Sequence, residues 1–317
     1  MEMVVNIRET TTVLMSRCPG IAGLERWHVR HSPWQYKKDA LATTLDGLER
    51  RKSHNVVART QFGYEMFCGT EDLIQRYIYL FGVWEAHLTA WIQERLRPGD
   101  TFVDVGANVG YYTLLAASRV GQQGHIVAIE ASPSIVGLLS NNLQRNEIGA
   151  RVRSVNVAAS DEAGTVSVYH GPKDMIGLTT TVPHEDFEIE ATIRAMSLRD
   201  ILTHEKMTSA RLIKIDVEGL EGPVVRGLLP GLPSCREDLE LVAEVNGQPT
   251  PEGEMASDIV AQLRGYGFNV YAITNNYGAS SYVKAMDEPQ RPQRIFSDID
   301  PDKTADLVFS RIDAPHL

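Results

Sequence analysis

The stretch from residue 101 to residue 113, TFVDVGANVGYYT, constrains the fold more than any other part of the chain. A short apolar run ends in Asp104, and Gly106, Asn108 and Gly110 follow before a helix-compatible segment begins. Glycine allows a positive φ angle at a tight turn and lets a ligand approach the main chain closely. The segment therefore predicts a strand, a ligand-binding turn and the start of a helix.

Acids at the ends of two successive predicted strands indicate the charge of that ligand. Asp104 would repel a pyrophosphate, and Asn108 stands where the dinucleotide motif has its second glycine. The next strand, residues 125–130, ends in Glu130, which can accept hydrogen bonds from both hydroxyls of a ribose. The pattern therefore favours S-adenosylmethionine (SAM), which carries a sulfonium and an ammonium, over NAD.

Two later apolar segments, residues 211–217 and 239–245, also end in acids, namely Asp216 and Glu244. Strands that alternate with helices form a mostly parallel sheet covered on both faces, and ligands bind at the carboxyl ends of such strands. We therefore predict an α/β, Rossmann-like fold in which Asp104, Glu130, Asp216 and Glu244 converge on one rim.

The residues before this sheet have a mixed character. Residues 1–97 contain helical and hairpin patterns, and the segments 4–7 and 11–15 could be short strands. We interpret 1–97 as an N-terminal α+β extension or cap, which could serve as a lid or as a homodimer interface, and 98–317 as the ligand-binding domain. Residues 171–190 are irregular and polar, which makes them a candidate substrate loop.

The composition argues against several classes of partner. A net charge of -10 does not suit a nucleic-acid surface, and no apolar run reaches membrane-spanning length. The first residues lack the pattern of a signal peptide. Cys18, Cys68 and Cys235 are far apart and form no C-x-x-C motif, which fits a reducing compartment. We expect a cytoplasmic protein with no nucleic-acid or membrane partner.

Five segments together resemble the FkbM family of class I SAM-dependent methyltransferases, and the match spans about residues 71–248. They are residues 81–85 (FGVWE), 103–113 (VDVGANVGYYT), 128–133 (AIEASP), 156–161 (NVAASD) and 213–219 (IKIDVEG). The resemblance implies a mostly parallel seven-stranded sheet with an antiparallel last strand and helices on both faces. It also implies methyl transfer from SAM, with S-adenosylhomocysteine as product, to an oxygen of a sugar, polyketide or other small secondary metabolite.

The resemblance further implies a set of SAM-binding residues. They are Trp84 and Glu85 as a lid; Asp104, Gly106, Asn108 and Gly110 at the methionine part; Tyr111 as a ring contact; Glu130 at the ribose with Ala131 beside it; Ala159, Ser160 or Asp161 at the adenine; and Asp216 near the sulfonium. Several of these have plain structural alternatives. Trp84 and Tyr111 could simply be core residues, and Asp161 could be a turn acid.

Asp216, Glu218 and His184 are the candidates for chemistry at the acceptor. A hydroxyl acceptor needs a base, whereas a carboxylate does not. Asp216 lies at the strand tip beside the expected position of the sulfonium, and Glu218 follows on the turn, although both could instead cap the next helix. His184, in the polar loop, could act as a base near its free pKa.

Lys214 shares a strand face with Asp216, and a lysine in so apolar a strand requires an acidic partner. Asp216, Glu218 and Glu244 could also gather a magnesium or calcium ion. Because no histidine accompanies them at ligand spacing, we predict no metal.

Four alternative functions remain open from the sequence. Two are close variants, namely N-methylation of an amine or peptide and carboxyl methylation of a small acid. A SAM-binding module without catalysis is a third, and the acid-tipped strands argue against it. The fourth, an NAD-dependent oxidoreductase, is disfavoured by Asn108 and Asp104.

Overall fold

The computed structural model describes residues 19–31, 38–245, 256–273, 275–296 and 305–317. The strands predicted at 4–7 and 11–15 lie outside these ranges, as does Cys18. In the described part of the chain, no helix combines the length and the apolar character needed to cross a bilayer. The cytoplasmic location stays a prediction.

Thirteen strands are described, and eight of them form the central sheet. The strands are β1 (Asn55–Arg59), β2 (Glu65–Gly69), β3 (Thr101–Val105), β4 (His125–Glu130), β5 (Val152–Asn156), β6 (Ala158–Ser160), β7 (Gly164–Tyr169), β8 (Ile189–Ser197), β9 (Ala210–Ile215), β10 (Glu240–Val245), β11 (Asn269–Ile273), β12 (Gln293–Arg294) and β13 (Ala305–Ser310). The order in the central sheet is β12-β11-β13-β10-β9-β3-β4-β5. A hairpin of β1 and β2 and a three-stranded sheet, β6-β8-β7, complete the set.

The strand order places a binding site between β3 and β9. Strands β10, β9, β3, β4 and β5 are parallel, and the chain moves outward from β3 first towards β5 and later towards β10. Such a reversal leaves a crevice at the carboxyl ends of the two central strands. The predicted antiparallel last strand is confirmed, because β13 lies antiparallel between β10 and β11. The count of seven strands was one short, since the two-residue β12 pairs with β11 at the edge.

Helices cover both faces of the sheet, as predicted. They are α1 (Pro19–His31), α2 (Lys38–Arg51), α3 (Leu73–Phe81), α4 (Ala86–Arg95), α5 (Tyr111–Val120), α6 (Pro133–Arg145), α7 (Leu198–Ile201), α8 (His204–Ser209), α9 (Glu221–Leu228), α10 (Ala256–Gly265) and α11 (Ala279–Asp287). Alternate residues of β3 point to opposite faces, so Phe102 belongs to one hydrophobic cluster and Val103 to the other. Burial on both faces explains why the central strands are almost wholly apolar.

The N-terminal third shares its core with the rest of the chain. Ala42 of α2 and Tyr77 of α3 belong to the same cluster as Phe102 of β3 and Tyr271 of β11. Asn142 of α6 extends this contact, because its side chain accepts a hydrogen bond from the backbone of β2 at 2.7 Å. The described part of residues 1–97 therefore packs as a layer on the main sheet. A homodimer through this region stays a prediction.

Three helical elements differ from the sequence expectation. The sequence predicts one helix over residues 198–204, but the chain leaves the helix at Leu202 and begins a new helix, α8, which is capped by the side chain of Thr203. The helices α1 and α11 were not anticipated. In α11 only Ala279, Tyr282 and Val283 are buried, and a nine-residue segment with so few apolar positions gives a weak periodic signal.

Arg30 joins α1 to the end of α3. Its guanidinium donates to the carbonyl oxygens of Leu80 at 2.9 Å, Ile78 at 3.3 Å and Tyr79. It also donates to the carbonyl of Arg59 at 3.1 Å. These carbonyls lie at the C-terminal end of α3 and at the end of β1, so Arg30 helps to fix the segment that leads into α4.

We predict that Arg30→Met lowers the free energy of unfolding by about 2–3 kcal/mol, because part-buried carbonyls lose their donors. Chemical denaturation of the variant and of Arg51→Met, at an exposed position, checks this. Equal stability of the two variants would show that the hydrogen bonds of Arg30 do not contribute to the free energy of unfolding.

Candidate active site

A cavity of about 310 Å³ lies at the carboxyl ends of β3, β4, β9 and β10. Its walls come from the sheet rim, the N-terminal end of α3, the segment before α4, the loop after β7 and the segment before α11. The residues that line it include Asp72, Trp84, Glu85, Gly106, Asn108, Glu130, Ala131, Ala159, Thr180, Asp216, Glu218, Glu221, Glu244 and Tyr277. The predicted convergence of strand-tip acids is thus seen for Glu130, Asp216 and Glu244.

The turn after β3 takes the conformation that its glycines permit. Gly106 and Gly110 have φ angles of 78° and 92°, and Asn108 has a φ of 49°. A Cβ atom at Gly106 would lie 1.6 Å from the carbonyl oxygen of Asp216, so only glycine fits between the tips of β3 and β9. Gly106 and Asn108 line the cavity, whereas Gly110 packs under it against Leu139.

Glu130 is held in place by the backbone around it. Its carboxylate accepts from the N–H of Asn108 and from the N–H of Ser132, both at 2.9 Å. Burial raises the pKa of Glu130 to about 7, against the opposing effect of these hydrogen bonds. The glycine turn and the tip of β4 are therefore tied together through one carboxylate that faces the cavity.

Asp104 lies behind the cavity wall and not in it. It neighbours Lys214 across the sheet, and its Oδ2 accepts from the Thr113 hydroxyl at 2.5 Å. Its Oδ1 is buried without a hydrogen-bond partner in the described part of the chain. Burial raises the pKa of Asp104 to about 6. Asp104 therefore does not line the cavity, and it does not offer the direct contact with the ligand ammonium that the sequence suggested.

Lys214 lies at the centre of the acidic rim. Its Nζ donates to Asp216 Oδ2 at 2.6 Å and lies 4.8 Å from the ring centroid of Tyr112. The predicted acidic partner on the same strand face is confirmed. Burial alone would lower the pKa of Lys214, but the charges of Asp216, Glu85 and Asp104 outweigh it and raise the pKa.

Asp216, Glu218 and Glu244 form a cluster in which one oxygen of each lies within 4.8 Å of the others. Burial, followed by repulsion from Asp216, raises the pKa of Glu218 to about 9 and that of Glu244 well above its usual range. Glu218 also has a φ angle of 56°, which is strained for a non-glycine residue. Acidic clusters of this kind form with or without an ion, so the cluster alone assigns no metal.

Trp84, Glu85 and Tyr277 form another part of the cavity wall. Glu85, at a φ of 44°, accepts from the hydroxyl of Tyr112 at 2.5 Å and from that of Tyr277 at 2.7 Å. The rings of Trp84 and Tyr277 are stacked, with centroids 5.1 Å apart and planes at 14°. Tyr277 was missed by sequence reasoning. It lies between β11 and α11 in a polar segment with no motif, and only the tertiary fold brings it here.

The loop after β7 closes another side of the cavity. Residues 175 and 177–181 line it. The N–H of Ile176 donates to Asp72 at 3.0 Å, and the Thr180 hydroxyl donates to the carbonyl oxygen of Glu218 at 2.9 Å. Asp72, the cap of α3, was also missed, because its cavity role depends on a partner 104 residues away. Part of the proposed substrate loop therefore forms a cavity wall.

Besides Asp104 and Gly110, four further predicted site residues do not reach the cavity, namely Ser160, Asp161, Tyr111 and His184. Ser160 donates to Asp161, which forms an ion pair with Arg226 at 2.8 Å. Tyr111 is buried, with its hydroxyl 3.2 Å from that of Thr89, so it is a core residue and not a ring contact to the ligand. His184 is exposed and stacks on Phe187, with ring centroids 3.9 Å apart. Ala131 and Ala159 do line the cavity.

Comparison with known proteins gives consistent matches. A family model described as "Methyltransferase FkbM domain" matches residues 104–270. The chain is 31% identical over 209 residues to "31-O-demethyl-FK506 methyltransferase FkbM" of Streptomyces tacrolimicus, covering 56% of this chain and 75% of that protein. It is 26% identical over 203 residues to "Methyltransferase sdnD" of Sordaria araneosa, covering 55% and 75%. A solved structure, methyltransferase FkbM from Methylobacillus flagellatus KT, aligns with a TM-score of 0.42 at 12% identity, covering 93% of this chain and 60% of that one.

We predict that Lys214→Met destabilises the protein by about 3–5 kcal/mol, because Asp216 and Asp104 lose the buried cation between them. The matched control is Lys52→Met at an exposed position, which should unfold like the wild type. Denaturant titration of both variants decides the point, and a loss below about 1 kcal/mol for Lys214→Met would contradict the role of Lys214.

The raised pKa of Glu130 predicts a pH dependence of stability. Between its usual value of 4.5 and about 7, the unfolded chain releases a proton that the folded protein keeps. The free energy of unfolding therefore falls as pH rises through this window. Glu130→Gln should lose less stability than the wild type between pH 5 and 7.5, whereas Glu162→Gln, at an exposed site, should follow the wild type. An unchanged slope in Glu130→Gln would refute the assignment.

Proposed function

The chain belongs to the FkbM methyltransferase family, and from this premise we propose that it transfers the methyl group of SAM to a hydroxyl oxygen of a small-molecule acceptor. Methyl transfer with SAM as donor follows from the family. The observation that supports an oxygen acceptor is the placement of Asp216 and Glu218 at the tip of β9, beside the glycine turn. A hydroxyl acceptor needs such a base, and Asp216 faces the cavity.

The residues of the cavity suit SAM in charge and in hydrogen-bonding chemistry. We assign Gly106 and Asn108 to the methionine part, Glu130 and Ala131 to the ribose and Ala159 to the border of the adenine. Bound SAM supplies a methyl group on a positively charged sulfur. The carboxylates of Asp216, Glu244 and Glu85 favour a cationic ligand and disfavour the pyrophosphate of NAD.

Asp216 is the proposed base. Lys214 donates to one oxygen of Asp216, and the other oxygen has no hydrogen bond to the described residues. That second oxygen can accept the proton of an acceptor hydroxyl as the new bond forms. Glu218 suits this task less well, because a pKa of about 9 keeps it protonated at neutral pH.

The remaining residues position the reactants and limit water. Trp84 and Tyr277 wall one side of the cavity, and Thr180 ties the loop after β7 to the tip of β9. For in-line transfer, holding the acceptor oxygen in line with the methyl group and excluding water are the main contributions that a protein can make. We assign these residues to that role.

We predict that Asp216→Asn lowers kcat at least about 100-fold, the usual contribution of a general base, while S-adenosylhomocysteine still binds. The measurement is transfer of labelled methyl from SAM to a panel of hydroxylated small molecules, with calorimetry for the product. His184→Ala serves as the comparison, because His184 lies on the surface and should keep full activity. Loss of activity in His184→Ala with an active Asp216→Asn would transfer the role of base to His184.

A further inference from the structure

The half of the cavity farthest from Glu130 has a different character from the donor half. Along the sheet rim the order runs from Glu130 at β4, through Asp216 at β9, to Glu244 at β10. Tyr277, which follows β11, lies beyond them and lines the same cavity. With the donor placed at β3 and β4, this far half is left for the acceptor.

Tyr277 is fixed in place from three directions although it is 38% exposed. Its ring stacks on Trp84, and its hydroxyl donates to Glu85 at 2.7 Å. Its carbonyl oxygen accepts from the Tyr77 hydroxyl at 2.6 Å. A ring held in this way presents a rigid apolar surface and costs little entropy when a ligand packs on it.

The charges around this surface limit what can bind there. Glu218 and Glu244 line the same cavity, and neither side chain has a hydrogen bond or ion pair within the described residues. Asp216 is paired with Lys214, which leaves no excess of positive charge at this point. The described residues that line the cavity include no lysine or arginine that could pair with an anionic acceptor. Such an acceptor would therefore lose its hydration without compensation, whereas a neutral hydroxyl compound would not.

We propose that Tyr277 is a specificity-determining residue, and that it seats an acceptor which carries no negative charge and presents an apolar ring face to the Trp84–Tyr277 pair. This inference rests on the proposed function, because it concerns the acceptor of the same reaction. It excludes carboxyl methylation of a small acid, which the sequence left open. It also names a residue that lies outside every motif of the sequence.

The test uses two ring compounds of similar size and opposite character. They are trans-1,2-cyclohexanediol, which is neutral, and cyclohexanecarboxylate, its anionic counterpart. NMR titration of the protein saturated with S-adenosylhomocysteine measures the dissociation constant of each. We expect the diol to bind the wild type at least about tenfold more tightly than the carboxylate.

Tyr277→Ala should weaken diol binding by at least about tenfold, because the ring surface is lost. Tyr277→Phe, which keeps the ring, should stay within about threefold of the wild type. Tyr266→Ala is the matched control, since Tyr266 is similarly exposed but follows α10 and does not line the cavity. Unchanged affinity for S-adenosylhomocysteine in all three variants verifies that the donor site is folded.

Two results would overturn the inference. One is that the diol does not bind the wild type, or that it binds Tyr277→Ala as tightly as it binds the wild type. The other is a carboxylate that binds as tightly as the diol. Because these titrations need no turnover, they separate the inference from the proposed function. A protein that methylates no hydroxyl compound but binds the diol through Tyr277 would contradict only the function.

Discussion

The contact between Lys214 and Asp216 is the interaction on which the rest of the site depends. Lys214 is buried in the strand that borders the topological switch point, and the acidic side chains of Asp104 and Glu85 lie around it. A buried cation stabilises such neighbours only when they stay close, so it fixes the tips of β3 and β9 relative to each other. Gly106 makes this approach possible, because any side chain there would collide with the backbone of Asp216.

One lysine does not neutralise the acids that meet at this rim. Burial and mutual repulsion raise the pKa of Glu130 and Glu221 to about 7 and that of Glu218 to about 9. A cavity lined by acids with raised pKa values binds a cationic ligand favourably, because the cation stabilises their ionised form. The sulfonium and ammonium of SAM supply such positive charge. The electrostatics of the cavity and the family of the chain therefore lead to the same donor.

The sequence was informative where a property is local. The acids at the ends of the predicted strands are visible in the sequence, so Glu130, Asp216 and Glu244 could be placed on one rim. Period-two alternation also predicted the pairing of Lys214 with Asp216. The sequence could not show that Asp104 would lie outside the cavity. Its hydrogen bond with Thr113 depends on how the following helix packs against the strand. Tyr277 and Asp72 lie far from the glycine turn in sequence, and only long-range contacts bring them to the cavity.

The most direct test of the account is a comparison of proton release on binding of SAM and of S-adenosylhomocysteine. Calorimetry near pH 7, in buffers with different ionisation enthalpies, gives the number of protons released with each ligand. If the acid-rich cavity is complementary to positive charge, the sulfonium should lower the pKa of the surrounding acids, and SAM should release more protons than S-adenosylhomocysteine. Equal proton release, or no binding of either ligand to the folded protein, would contradict the account.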